Sequence, residues 1–278
     1  MLATASTDNS IKIWNISLAS LVQTLNGHIN DINCLEQVGD DLIASASADY
    51  TIKLWNITSG ENYLTLRHSD NVTAIKLISK DKLVGVSDDF SSIIWNITNG
   101  TALIIISLVS QSYCFGSNPC TRVYYYPSSI EKINDAIFAV GMKDIALYYS
   151  NGSLIQYLKG HTHKVYALKL LSSDTLASGS ADNGVRIWNL TSKTSQILTP
   201  AHTNDVMGLE LVDVDVLASV SADFTIKLWN LTSWSNIKTF NVHTAAVYAI
   251  KNVDSLIEGI LFLILKMFFN ILLFVEMT

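Results

Sequence analysis

The chain has 278 residues, 49% of them hydrophobic and only 15% charged, which is enough apolar material to bury a large core. Its formal net charge of −6 and the lack of a Lys/Arg stripe argue against binding to nucleic acid, whose phosphates attract basic surfaces. Three cysteines at irregular positions do not make a disulfide framework and favour a reducing compartment.

One sequence unit recurs along most of the chain. Its second half, ASASADYTIKLWNITSG from Ala44, is echoed by segments that begin at residues 2, 84, 176 and 217. A Trp near the end of the unit recurs at positions 14, 55, 95, 188 and 229, and a His recurs in phase at 28, 68, 161, 202 and 243. Short strands repeated with a period of about 40 residues are typical of β-propeller blades.

The first half of the chain supplies three units of strands. Residues 2–25 read as the three strands LATAS, IKIWNI and SLVQTL, and residues 27–67 read as a full unit of four strands. The third unit, residues 68–108, has Gly85 where its siblings have Ser or Thr.

The repeat then loses its phase and recovers it. An insertion around Asn118-Pro119 is expected to loop out before a fourth unit in which Tyr148 takes the Trp position and Met142 the Asp position. Two regular units follow at residues 160–200 and 201–241.

The end of the chain follows a different pattern. We divide the chain into a repeat domain of residues 1–254 and a hydrophobic tail of residues 255–278, which we expect to be helical. The apolar run from Ile260 to Val275 contains Lys266 and is shorter than the roughly 20 residues of a membrane span. The tail either enters a membrane through residues 256–275, or folds back on the domain, or comes from a truncated or misread reading frame.

The phased Gly-His, Asp and Trp positions resemble those of the WD-repeat (WD40) family, although Trp-Asn stands where that family usually has Trp-Asp. The resemblance implies an all-β propeller of about six four-stranded blades. Its first blade would be composed of both chain ends, with residues 247–253 beside residues 2–6. An open ring, as expected for a fragment of a larger WD-repeat protein, remains the alternative.

In that family, a His, a Ser or Thr, an Asp and a Trp form a hydrogen-bonded tetrad within a blade. The resemblance implies these structural sets: His28, Ser45 or Ser47, Asp49 and Trp55; His68, Asp89 and Trp95 with Ser87 nearby; His161, Ser178, Asp182 and Trp188; His202, Ser219, Asp223 and Trp229; and His243, Asp8 and Trp14 in the composite blade. Acyl transfer uses the same residue types, but a set that recurs in four units indicates a scaffold. We therefore expect no catalytic residue, no metal and no cofactor.

The residues that follow each His are the candidates for partner binding. The fourth residue after each His is apolar and is expected to enter the core, whereas the third and fifth are expected to line the channel mouth. These candidates are Asp31, Asn33, Asn71, Thr73, Lys164, Tyr166, Asp205, Met207, Ala246 and Tyr248. Three aromatic residues that directly follow the turn Asp are further candidate anchors: Tyr50, Phe90 and Phe224.

These observations predict a non-enzymatic scaffold whose propeller face binds other proteins, without nucleic acid or a small-molecule substrate. The chain begins with a predicted strand rather than a signal-like segment, so we expect a cytoplasmic location. Two alternatives stay open, namely the same scaffold tethered to a membrane by its tail and an incomplete part of a larger WD-repeat protein.

Overall fold

The described part of the chain folds into six four-stranded antiparallel sheets, the blades, which confirms the predicted all-β class. The computed structural model describes residues 1–15, 18–108, 112–115, 121–241, 243–250 and 273–276. The innermost strands of consecutive blades contact one another, from blade one to blade six, and they form the inner layer of the fold.

The blades have the following strands. Blade one contains β1 (Leu2–Ala5), β2 (Ser10–Asn15) and β3 (Ser20–Asn26); blade two contains β4 (Ile32–Gly39), β5 (Leu42–Ser47), β6 (Thr51–Asn56) and β7 (Asn62–Arg67). Blade three contains β8 (Val72–Ser79), β9 (Lys82–Ser87), β10 (Ser91–Asn96) and β11 (Ala102–Ser107), and the hairpin β12 (Ser112–Phe115) and β13 (Thr121–Tyr124) follows it. Blade four contains β14 (Ser129–Asn134), β15 (Ile137–Gly141), β16 (Ile145–Tyr149) and β17 (Leu154–Leu158). Blade five contains β18 (Val165–Ser172), β19 (Thr175–Ser180), β20 (Val185–Asn189) and β21 (Ser195–Ile197). Blade six contains β22 (Val206–Asp213), β23 (Val216–Ser221), β24 (Ile226–Asn230) and β25 (Ser235–Phe240), and β26 (Leu273–Glu276) lies beside β1.

The hydrophobic cores lie between consecutive blades. The sheet of blade two, for example, is covered on both faces, by blade one and by blade three. This explains why the second strands read as almost continuous runs of small or apolar residues rather than as alternating patterns. Trp55, Trp95, Trp188 and Trp229 each pack against the preceding blade, as Trp55 does with Ile11 and Ile13 of blade one. Tyr148 occupies this position in blade four and stacks on Phe138 at 5.7 Å between ring centroids.

The departure from Trp-Asp to Trp-Asn has a local explanation. In blade two, the side-chain oxygen of Asn56 accepts the backbone N–H groups of Thr58 (2.9 Å) and Ser59 (2.8 Å) in the turn that follows β6. The Asn of blade six, Asn230, makes the same pair of bonds. An amide oxygen is sufficient for such an Asx turn, so no carboxylate is needed there.

One predicted pairing is wrong. β1 pairs with β26, Leu2 opposite Glu276, and not with residues 247–253. Both chain ends do contribute to blade one, but the C-terminal strand comes from the predicted helical tail. Val247 and Ile250 instead pack against blade six.

The other tail predictions concern residues that are mostly outside the described part of the chain. Residues 251–272 and 277–278 are not described, so the membrane alternative and the domain boundary at 254 stay predictions. Among the residues that the structure does describe, no helix has the length and apolar character needed to cross a membrane.

The insertion between blades three and four forms a β-hairpin where it is described. β12 pairs with β13, Ser112 opposite Tyr124, as a separate two-stranded sheet. Residues 116–120, which contain Asn118 and Pro119, lie outside the described residues.

In every blade except blade four, the turn after the second strand holds one non-glycine residue in the left-handed region. In five blades that residue is Asn9, Tyr50, Phe90, Asn183 or Phe224, with φ between 60° and 71°. Asn tolerates this region, whereas a bulky side chain there is strained by about 1 to 2 kcal/mol.

We therefore expect Phe224→Asn to raise the free energy of unfolding by about 1 kcal/mol, because it removes this backbone strain. Little packing is lost, since the Phe224 side chain is 45% exposed. Urea denaturation measures the change. The reciprocal replacement Asn183→Phe serves as the control and should lower the stability. An equal loss in both variants would show that the φ angle does not govern this turn.

Candidate protein-binding face

One face of the propeller carries the phased histidines. In blades two, three, five and six, the turn after the second strand donates a backbone N–H to the loop before the first strand, as Ala48 does to Asp31 at 2.8 Å. The loops and turns therefore share one side, which we call the histidine face. It comprises the loops 27–31, 68–71, 160–164, 201–205 and 243–248 and the turns 48–50, 88–90, 181–184 and 222–225.

Blade two contains a complete tetrad. His28 lies with Nδ1 2.7 Å from the Asp49 carboxylate and with Nε2 2.7 Å from Oγ of Ser45. The indole N–H of Trp55 donates to the same Ser45 oxygen at 2.8 Å. The structure thus selects Ser45 rather than Ser47 of the two candidate hydroxyls, since Ser47 donates to the carbonyl of Asn30 instead.

Blades five and six repeat this geometry. His161 lies 2.7 Å from both Asp182 and Ser178, and Trp188 donates to Ser178 at 2.7 Å. The corresponding contacts in blade six join His202 to Asp223 at 2.9 Å, His202 to Ser219 at 2.7 Å and Trp229 to Ser219 at 2.8 Å.

The tetrads form a directional chain of hydrogen bonds. Trp donates to Ser, Ser donates to Nε2 of a neutral His, and Nδ1–H of that His donates to Asp. Burial favours the protonated carboxyl, yet the hydrogen bond from His161 and those from two backbone N–H groups lower the pKa of Asp182 to about 2. The hydroxyl-bearing residues Ser45, Ser178 and Ser219 are fully buried, so they cannot meet a substrate.

Blade three keeps only part of the tetrad. Trp95 donates to Nε2 of His68 at 3.4 Å, and Nδ1 of His68 is buried without a hydrogen-bond partner among the described residues. Gly85 supplies no hydroxyl, and the imidazole has moved into the vacated space, since a Cβ there would lie 2.8 Å from Nε2. Asp89 bonds to its own turn, at Ser91, rather than to the His.

Blade one has a hydroxyl that the sequence reasoning did not identify. Trp14 donates to Oγ1 of Thr4 at 3.0 Å, while Asp8 accepts bonds from the backbone and hydroxyl of Ser10. The proposed role of His243 in this set stays a prediction. Wherever a repeat Trp donates to a hydroxyl, that hydroxyl lies ten residues before the Trp, so this spacing could have identified Thr4.

The incomplete tetrad should make blade three sensitive to acid. Burial lowers the pKa of His68 to about 4 from 6.5, and Asp89 opposes the shift only through its charge. Between these pH values the unfolded chain binds a proton that the folded chain does not, so stability is complete above pH 6.5 and is lost as the pH falls towards 4. The full shift corresponds to roughly 3 kcal/mol.

We expect His68→Asn to reduce the loss of stability between pH 7 and pH 4 by about 2 to 3 kcal/mol relative to the wild type. Chemical denaturation at a series of pH values measures this difference. His163→Asn, at an exposed position on the same face, is the control and should follow the wild-type curve. Parallel curves for all three proteins would refute the assignment to His68.

The positions expected at the channel mouth are only partly available. Asn33 donates to Oδ1 of Asn71 (2.6 Å), and Asn71 donates to Asp88 (2.8 Å). Thr73 donates to the carbonyl of Pro127 (2.8 Å). Nine of the ten candidates are half-buried, and they are Asp31, Asn33, Asn71, Thr73, Lys164, Tyr166, Asp205, Met207 and Ala246. Several of them therefore tie neighbouring blades together.

The most exposed large side chains of the histidine face lie further out. Ile29 is 84% exposed, Tyr50 49%, Phe224 45% and Tyr248 41%. Phe90 differs from the other turn aromatics because it stacks on Tyr126 of the insertion at 4.8 Å between centroids. The insertion thus covers one of the predicted anchors and adds an exposed ring of its own.

A second set of charged residues, on the first strands, was not identified from the sequence. The residues alternate in sign from blade two to blade six and are Glu36, Lys76, Glu131, Lys169 and Glu210. Nζ of Lys76 lies 3.5 Å from Glu36 and 3.6 Å from Glu131, and Nζ of Lys169 lies 3.0 Å from Glu210. In the four blades that have a His, these residues follow it by eight positions, for example 36 after 28, and this regular spacing could have revealed them.

Comparison with known proteins agrees with this architecture. The family model of the WD domain, G-beta repeat, matches residues 19–56, 152–189 and 193–230, and each match ends on the Asn of a Trp-Asn pair. No curated protein matches the chain. The three matches, together with the six four-stranded sheets of the described residues, support the resemblance to the WD-repeat family. Propellers of this class are typically used for protein–protein interaction.

Proposed function

We propose that this protein is a non-enzymatic scaffold that binds another protein with its histidine face. The observation that carries the proposal is the exposure of aromatic side chains in the turns and loops of that face, above all Tyr50, Phe224 and Tyr248. Aromatic residues are enriched at protein interfaces because a rigid ring buries a large area at a low cost in conformational entropy.

The backbone conformation of two of these residues supports a functional role. Tyr50 and Phe224 have φ angles of 70° and 71°, a region in which Asn would be less strained. Strained residues that remain exposed are more often found at binding sites than elsewhere. Asn183 occupies the same turn position in blade five, so the fold itself does not require an aromatic residue there.

The half-buried residues nearer the channel would complete this surface. Tyr166 and Met207 are the second residues of the first strands of blades five and six. Burial raises the pKa of Tyr166, and so do the charge of the neighbouring Asp205 and a side-chain hydrogen bond to it.

Affinity capture from cell extract with a matched set of variants tests the proposal. The test variant carries Tyr50→Asn, Phe224→Asn and Tyr248→Ser, of which the first two place Asn in a backbone conformation that it favours. The control variant is Val214→Ser, which removes an apolar residue that is 83% exposed in the turn between β22 and β23, at the opposite end of the blade. We expect the test variant alone to lose the wild-type partners. Retention of the same partners by both variants would remove the proposal.

A further inference from the structure

The outermost strand of each blade ends a sheet, so its outer edge has no strand partner in the described part of the chain. Such an edge invites pairing with another chain, and proteins usually protect it with charged side chains. β7 carries Arg67 and β25 carries Lys238, whereas β11 reads Ala-Leu-Ile-Ile-Ile-Ser and has no charge.

β11 lacks a hydrogen bond between two side chains that the outer strands of blades two and six contain. In blade two, the hydroxyl of Thr65 donates to the side-chain oxygen of Asn62 at 2.8 Å, and in blade six Thr239 and Asn236 make the same contact at 3.3 Å. These Asn residues lie opposite the repeat Trp, at the position that Ala102 holds in blade three.

The Thr position of the sibling strands is taken by Ile105 in β11, since Ile105 lies opposite Ile93 as Thr65 lies opposite Lys53. Ile105 is 67% exposed as a result. Leu103 is 45% exposed at the bulge position where blades two and six also expose an apolar residue, Tyr63 at 47% and Ile237 at 52%. Alternate residues of a strand point to opposite sides, and Ile104 and Ile106 on the other side already pack between blades three and four. The core therefore does not explain Leu103 and Ile105.

We propose that β11 pairs antiparallel with β11 of a second copy of this chain, so that two four-stranded blades join into one eight-stranded sheet. Antiparallel pairing of identical strands is the arrangement that a two-fold axis generates. The open edge supplies the backbone hydrogen bonds, and the exposed Leu103 and Ile105 side chains of both copies are removed from water.

Charge explains why β11 rather than β25 is the self-pairing edge. Lys238 lies near the middle of β25 and would face its own copy in an antiparallel pair, where like charges destabilise the sheet. β11 has no charged residue that would be repelled by its own copy in this way. Three other outer strands are also uncharged. β3 exposes Leu21 and Val22 but keeps Thr24 at the position of Thr65. β17 has Tyr157 at that position, and β21 has Ile197 there but is only three residues long.

Sedimentation velocity of the full chain over a concentration series from about 1 to 100 μM tests the pairing, because self-association depends on protein concentration. We expect the wild type to form a dimer in this range. Ile105→Thr restores the residue of the sibling strands, and Ser107→Lys adds a charge at an exposed position of the same strand. Each should weaken dimerisation at least tenfold while the far-ultraviolet circular dichroism stays that of the wild type.

The matched control is Ile237→Thr, which removes an exposed Ile from β25 and should leave the dimer intact. A wild type that is monomeric at the highest concentration would overturn the proposal. So would a dimer that withstands Ser107→Lys but is lost in Val22→Lys, since β3 would then be the pairing edge. Ser107 is exposed, so Ser107→Lys should not disturb folding. This variant therefore tests the pairing of β11 even if Ile105→Thr fails to fold.

Discussion

Replacement of Trp188 by Ala is expected to lower the free energy of unfolding by about 3 to 5 kcal/mol, the usual cost of removing a large aromatic side chain from a core. Trp188 is 1% exposed and packs in the cluster between blades four and five. Its indole N–H also donates to the buried Ser178, which would lose a partner. Urea denaturation followed by circular dichroism measures the change.

The control for this prediction is a Trp outside the repeat positions. Trp234 lies in the turn after β24 with a φ of 55°, at the position that Gly60 holds in blade two with a φ of 78°. It is half-buried at the margin of the cluster between blades five and six. Trp234→Gly loses this packing but gains a favourable turn residue, so a change below about 1 kcal/mol is expected. Equal losses for Trp188 and Trp234 would mean that the repeat phase has been assigned wrongly.

Replacement of Lys76 by Met is expected to lower the free energy of unfolding by about 2 to 4 kcal/mol, since breaking a largely buried ion pair leaves an uncompensated charge. Burial opposes the charge on Lys76, but Glu36 and Glu131 outweigh it and raise its pKa. Burial already raises the pKa of Glu36, with Lys76 as the main opposing charge. Removal of the ammonium would therefore leave two carboxylates facing each other across blade three.

Lys169→Met is the matched control, because Lys169 forms one ion pair, with Glu210 at 3.0 Å, on the equivalent strand of blade five. We expect it to cost clearly less than Lys76→Met, and the difference should widen at low salt, where charges are less screened. Equal losses of stability for the two replacements at all salt concentrations would show that the second carboxylate contact of Lys76 does not stabilise the fold.

Much of the fold could be predicted because the repeat encodes local information several times. The phased His, Asp and Trp positions located the blades, and the fourth residue after each His, such as Val165, is buried. The hydroxyl of the tetrad was harder to identify, since LATAS and LASGS each contain more than one candidate. Strand register decides between them: the residue that faces the indole N–H lies ten positions before the Trp, which selects Thr4 in blade one.

The strand beside β1 could not be predicted from local pattern. An apolar run without clear periodicity is compatible with a helix or with a buried strand, and only the partner decides. β1 is buried along its whole length and therefore accepts an apolar strand, which Leu273–Glu276 provides. The unit that begins at His243 suggested a nearer partner, because repeat phase gives no information about which of two segments closes a sheet.

The sequence also could not show which of the predicted binding residues are free to contact a partner. Alternation correctly separated the core position from its neighbours, but it could not reveal that Asn33 and Asn71 bond to each other across two blades. Such contacts depend on the distance between blades, which no single repeat encodes. The exposed aromatic turns are better candidates, because their side chains have few contacts to lose on binding.

The most direct test of a protein-binding histidine face is site-specific photo-crosslinking in living cells. A photoreactive phenylalanine analogue would replace Phe224 on the histidine face in one experiment and Val214 in the turn between β22 and β23 in another. Both sites are exposed and belong to blade six, so they differ mainly in the side of the propeller that they report. We predict a discrete adduct with another protein from position 224 and none from position 214. An adduct from position 214 alone would contradict the proposal that the histidine face binds the partner.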